Sequence, residues 1–126
     1  MKKIETNKAP GAIGPYSQGM STCKLVFTSG QIPLDSVTGA IVGNTIEEQS
    51  EQVLKNLQAV LEAGGASLET VVKTTCFLSD MDNFAAFNSV YARFFKGDCP
   101  ARSCVAVKTL PKNVLVEVEA IAESFK

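Results

Sequence analysis

No histidine occurs anywhere in this chain of 126 residues. That removes the Ser-His-Asp and Cys-His units of nucleophilic catalysis within one chain. Any chemistry must come from carboxylates, a tyrosine, an arginine, backbone groups and water. Charge of one sign is also lacking: 12 Lys and Arg stand against 13 Asp and Glu, a net charge of −1. There is no basic field to hold a phosphate backbone, so nucleic acid is not an expected partner. No run of Lys and Arg suits an anionic membrane surface, and no apolar run approaches the ~20 residues of a membrane span. Residues 1–7 are charged and lack the apolar centre of a signal peptide. These absences point to a soluble, cytoplasmic chain. In that compartment Cys23, Cys76, Cys99 and Cys104 read as free thiols. Without histidine, Cys99 and Cys104 do not make a structural zinc pattern. No metal and no cofactor is expected.

What is present fits one domain spanning 1–126, large enough to bury a core without staples. A hydrophobic content of 45% hints at some surface buried against a partner. Residues 8–21 carry Pro10, Gly11, Gly14, Pro15 and Gly19 and read as irregular structure. Tyr16 lies within it, either as a packing residue or as a phenol held over a pocket. Residues 24–29 read as a buried strand ending at Gly30, and 40–42 as a short strand. Thr45-Ile46-Glu47-Glu48 is a capping box. The helix it opens runs to about Ala63 with Ile46, Val53, Leu54, Leu57, Val60 and Leu61 on one stripe. Gly64-Gly65 ends it. A strand over 71–78 follows, then a second helix capped by Asp80 or Asp82. Its stripe holds Phe84, Phe87, Asn88, Tyr91, Phe94 and Phe95. Asn88 is the odd member, read as hydrogen-bonded to backbone at the stripe's edge.

The C-terminal part reads as a hairpin. Residues 101–107 are β-branched and apolar behind Pro100, 109–113 make a turn, and 114–122 alternate with period two. Arg102, Cys104 and Ala106 share a face, which, depending on register, also carries Glu117 and Glu119. One reading is a solvated face with ion pairs worth about 0–1 kcal/mol each. The other is an anion site, since the guanidinium fork matches a carboxylate bidentately. The order of elements gives an α+β domain, a mixed sheet covered on one face by two helices.

Pro100-Ala101-Arg102-Ser103-Cys104, followed by the run 116–122, resembles the signature end of the RidA/YjgF family, the enamine/imine deaminases. The likeness recurs at 12–19, 28–33, 72–75 and 84–88, in the family's order. This resemblance implies a chorismate-mutase-like fold and a homotrimer. In it three sheets form a central barrel covered by helices, with pockets at the subunit interfaces. It implies hydrolysis of 2-iminobutanoate or 2-iminopropanoate to 2-oxo acids and ammonia, the substrates being released by pyridoxal-phosphate dehydratases. Arg102 would then clamp the substrate carboxylate and the backbone at Cys104 would contact it. Glu117 would orient or deprotonate water, and Tyr16 would bind across the interface. Ser29, Gly30, Phe87 and Asn88 would shape the pocket. Two rival expectations share the fold: a non-catalytic sensor of small carboxylates, and an interaction protein of holdase or translation-inhibitor type.

Overall fold

The structure is a computed structural model, described here over residues 1–125. Strands β1 (Lys2–Ile4), β2 (Gly19–Thr22) and β3 (Leu25–Thr28) precede helix α1 (Ile46–Ala63). Strand β4 (Val71–Leu78), helix α2 (Phe84–Phe94) and strands β5 (Ala101–Ala106) and β6 (Val116–Glu123) follow. All six strands join one sheet in the order β1-β2-β3-β6-β4-β5. Only the β4–β5 pair is parallel; the others are antiparallel. The fold is α+β, a mixed sheet with two helices.

The local signals hold. Thr45 and Glu48 form the reciprocal capping box that opens α1, and Gly65 takes the left-handed conformation, φ 83°, just past its end. The α1 stripe of Val53, Leu54, Leu57, Val60 and Leu61 is buried against Val116, Val118, Ala120 and Ala122 of β6 and Phe87, Val90 and Tyr91 of α2. Each such side chain contributes about 1.5–3 kcal/mol. Asp80, not Asp82, is the capping carboxylate: it accepts from the backbone N–H of Asp82 at 2.8 Å, starting a short 3-10 turn that leads into α2.

The expected hairpin does not form. β4 lies between β5 and β6 and pairs with both. The unit β4–α2–β5 is a crossover, the connection a parallel pair requires. The segment linking β5 to β6 is no tight turn, because Leu110 and Val114 are drawn into a second apolar cluster with Ile32 and Leu34. Lys112 and Asn113 take left-handed φ values of 57° and 56° to let it bend back. The expected short strand at 40–42 is reduced to a single bridge between Ile41 and Leu34.

Alternation along the strands separates two faces. Val26, Thr74, Cys76, Leu78, Val116 and Val118 are buried on the helix side. The opposite side carries Phe27, Phe77, Val105, Glu117, Glu119 and Ile121 in register across four strands. There Leu25 and Phe27 are each 37% exposed and Val105 is 47% exposed. So large apolar side chains remain in solvent on this face of the lone chain.

Candidate functional site

Arg102 stands on β5 beside Thr74 of β4, and Cys104 stands beside Cys76. Neighbouring residues of a parallel pair point the same way, so Arg102 and Cys104 lie on the helix side. There α2 presents Phe84, Phe87, Asn88 and Tyr91, spaced as one helical stripe. The guanidinium carbon is 4.7 Å from the Tyr91 ring centroid, 5.6 Å from Phe84 and 5.9 Å from Phe87. Arg102 Nη1 donates to Asn88 Oδ1 at 2.8 Å. This settles Asn88: its side chain serves the arginine, not the helix backbone. Among the described residues, the ion pairs join Lys3 to Glu5, and Glu51 to Lys55 and Arg93. None of these pairs involves Arg102, so no described carboxylate is bonded to it. Aromatic faces and an amide oxygen hold the cation without neutralising it, and the side chain is only half-buried.

The thiols beside it are not activated. Burial raises the Cys104 pKa, although Arg102 pulls the other way. Cys76 is pushed up to about 12 by burial. A nucleophilic cysteine needs the opposite shift. All four cysteines are free.

Glu117 stands opposite Phe77, and Glu119 opposite Thr75. Both therefore project from the face away from Arg102. The register that the sequence left open is thereby fixed: Glu117 and Glu119 do not share the face of Arg102 and Cys104, because Val116, Val118 and Ala120 take the helix-side positions of β6. Glu117 is half-buried, and its pKa is raised, first by burial and then by the Glu119 charge. Gly30 lies directly against it: a Cβ there would stand 2.7 Å from Glu117 Cδ and 3.0 Å from Cγ. Next to it, Ser29 donates its hydroxyl to the carbonyl of Ser17 at 2.5 Å and its N–H to that of Gln18 at 2.8 Å. Tyr16 lines one small cleft with Gly30, Gln31 and Ile32. It is 48% exposed, and its hydroxyl accepts from the Ile13 N–H at 3.2 Å.

The model of the family described as Endoribonuclease L-PSP matches residues 6–124. The chain belongs to this family. It is the RidA/YjgF family of the sequence resemblance. A protein of Lactococcus lactis named as a regulator, AldR, is 52% identical over 98% of each chain. The 2-iminobutanoate/2-iminopropanoate deaminase of Salmonella typhimurium is 48% identical over 96% of each chain. The crystal structure of TdcF from E. coli with bound serine superposes with a TM-score of 0.94 at 46% identity, covering 98% of each chain. Family names thus include an endoribonuclease, a regulator and a deaminase, and the reaction has to be argued from residues.

In one chain of this family member the candidate residues fall into two groups. Phe87, Asn88, Arg102 and Cys104 gather under α2. Tyr16, Ser29, Gly30 and Glu117 gather at the other side of the sheet. The single chain does not bring the groups together. Two supporting residues escape a reading of the sequence. Gln18 is buried; it accepts from the Thr6 N–H and donates to the carbonyls of Thr6, Ala9 and Pro10, fastening the loop that carries Tyr16. Tyr91 looks like ordinary core; its one distinguishing signal is its place three residues after Asn88.

Proposed function

We propose that the protein is a hydrolytic deaminase of small 2-imino acids, 2-iminobutanoate or 2-iminopropanoate, yielding 2-oxo acids and ammonia. The observation that carries this reading is Arg102, a half-exposed cation cradled by aromatic rings and Asn88 and, among the described residues, paired with no carboxylate. A small carboxylate supplies the missing charge. The name of the Salmonella relative and the serine bound to TdcF support it.

The active unit is a homotrimer. The exposed sheet faces pack together, and pockets form where Arg102, Phe87, Asn88 and the Cys104 backbone of one chain meet Glu117, Tyr16, Ser29 and Gly30 of the next. Association is the step that closes the distance between the two groups, and it covers Phe27 and Val105. The fork of Arg102 holds the substrate carboxylate. Glu117 takes a proton from water as its oxygen attacks the imine carbon, and the C=N π pair moves to nitrogen. The carbinolamine then receives that proton on nitrogen; as the C–N bond breaks, the hydroxyl proton passes back to the Glu117 carboxylate, the carbonyl forms and ammonia leaves. A carboxylate of raised pKa is a stronger base than an ordinary one. A protonated imine is already a good electrophile, so positioning and modest acid–base help suffice. The reaction needs neither metal nor cofactor, and it follows the release of enamines by pyridoxal-phosphate dehydratases in the cytoplasm.

The regulator name and the serine complex favour a second reading, a sensor of small carboxylates that binds without turnover. Glu117→Gln separates the two. As a deaminase, the variant keeps binding 2-oxobutanoate while ammonia release from 2-iminobutanoate falls to background. A wild type that binds 2-oxobutanoate yet releases no ammonia is the sensor.

A further inference from the structure

Thr74 and Arg102 are partners on adjacent strands, so their side chains stand side by side under α2. Tyr91 reaches both. Of the three rings around the guanidinium its ring is nearest, at 4.7 Å. Its hydroxyl lies 2.7 Å from Thr74 Oγ1. Thr74 is fully buried and Tyr91 nearly so, at 0% and 6% exposure. Phe87 and Phe95 flank the ring at centroid distances of 5.6 and 4.5 Å. A ring gripped on its flanks and tied at its tip has one orientation. Burial pushes the phenol up to about 12, so it stays neutral and the ring carries no charge to repel a ligand anion.

An arginine on an edge strand has several rotatable bonds. Holding a carboxylate with two parallel hydrogen bonds requires the plane of the guanidinium to be set beforehand. Asn88 fixes one corner of that plane. The Tyr91 ring, tied to the interior strand β4 through Thr74, is the surface it rests on.

We propose that Tyr91, held by Thr74, is a positioning residue that fixes the Arg102 guanidinium plane and thereby sets affinity for the ligand carboxylate. The ligand, a 2-oxo or 2-imino acid, is taken from the deaminase reading; the positioning role is not. Ground state and transition state share this contact, so its loss moves KM and leaves kcat.

The test uses the full-length protein, with 2-oxobutanoate for binding and freshly generated 2-iminobutanoate for turnover. Tyr91→Leu raises Kd and KM together, roughly fivefold to thirtyfold, the worth of a desolvated cation–ring contact. Tyr91→Phe keeps the ring between Phe87 and Phe95 but loses its tie to Thr74, so Kd and KM rise measurably, though less than in the Leu variant. Because Tyr91 packs in the core, a second series preserves its shape: phenylalanine at position 91 carrying one, two or three ring fluorines. Fluorination drains the ring face of negative charge, so Kd climbs step by step while the melting temperature stays level. A Kd indifferent to fluorine, or a folded Leu variant with wild-type KM, overturns the proposal. Nitrogen-15 relaxation of Arg102 Nε without ligand decides it independently: ordered in wild type and mobile in the Leu variant supports it, while equal order in both refutes it. Wild type that binds 2-oxobutanoate but turns nothing over sinks the deaminase reading alone, and the fluorine series still decides the positioning role.

Discussion

A methyl group on Gly30 tests the role of Glu117 without touching its charge. The new Cβ would lie 2.7 Å from Glu117 Cδ and 3.0 Å from Cγ. Carbon atoms rest about 3.5–4.0 Å apart, so the carboxyl must withdraw by about 1 Å. The obstacle is the end of a flexible side chain, and turning it aside costs on the order of 1 kcal/mol. The fold therefore tolerates Gly30→Ala. Catalysis does not: a shift of about 1 Å in a catalytic group can cost about a hundredfold, equivalent to about 2.7 kcal/mol of transition-state stabilisation. The assay is steady-state hydrolysis of 2-iminobutanoate, with thermal melts and sizing to verify folding and assembly. Gly30→Ala lowers kcat about a hundredfold, shifts the melting temperature little, and leaves 2-oxobutanoate binding in place. In a Glu117→Ala background the same substitution costs nothing further, because the two residues act as one unit. Wild-type kcat in Gly30→Ala, or the same loss with and without Glu117, refutes the reasoning.

Glu117→Gln loses turnover and gains stability at neutral pH. Folding raises this carboxyl's pKa, so its contribution is fully present below the unfolded value of about 4.3 and is lost as pH rises through the higher folded value. Melts from pH 4 to 8 show the variant overtaking wild type at the upper end. Thr74→Val leaves the Tyr91 hydroxyl buried and unpaired, a loss of about 1–3 kcal/mol in denaturant unfolding. Adding Tyr91→Phe removes the orphaned group and recovers most of it. Cys23 sits in the β2–β3 turn at φ 52°. A left-handed non-glycine residue costs about 1–2 kcal/mol and glycine's extra chain entropy about 0.5–1 kcal/mol, so Cys23→Gly gains roughly 0.5–1 kcal/mol, visible as a higher denaturant midpoint.

Local signals in the sequence carried over to the structure where the residues that make an element also stabilise it. The Thr45–Glu48 box, the α1 stripe and the alternation of 116–122 are of this kind. Pairing is not local. Nothing in 101–122 reveals that β4 inserts between its two strands, since that outcome depends on α2 crossing over and on Leu110 and Val114 leaving for Ile32 and Leu34. The consequence is large, because it decides that Arg102 and Glu117 point to opposite faces. Strands β1 and β2, with three and four residues, are too short to leave a period. Tyr91 was legible as core but not as a support for Arg102, because only the register of Thr74 with Arg102 puts both within its reach.

The most direct measurement of the central claim couples a threonine dehydratase to this protein with semicarbazide present. Semicarbazide traps the imine, so slower semicarbazone formation on adding protein reports competing hydrolysis. The account predicts that wild type suppresses the signal and Arg102→Ala, folded and assembled, does not. A signal that wild type leaves unchanged while the dehydratase runs normally contradicts the deaminase reading; suppression that survives Arg102→Ala contradicts the arginine as its anchor.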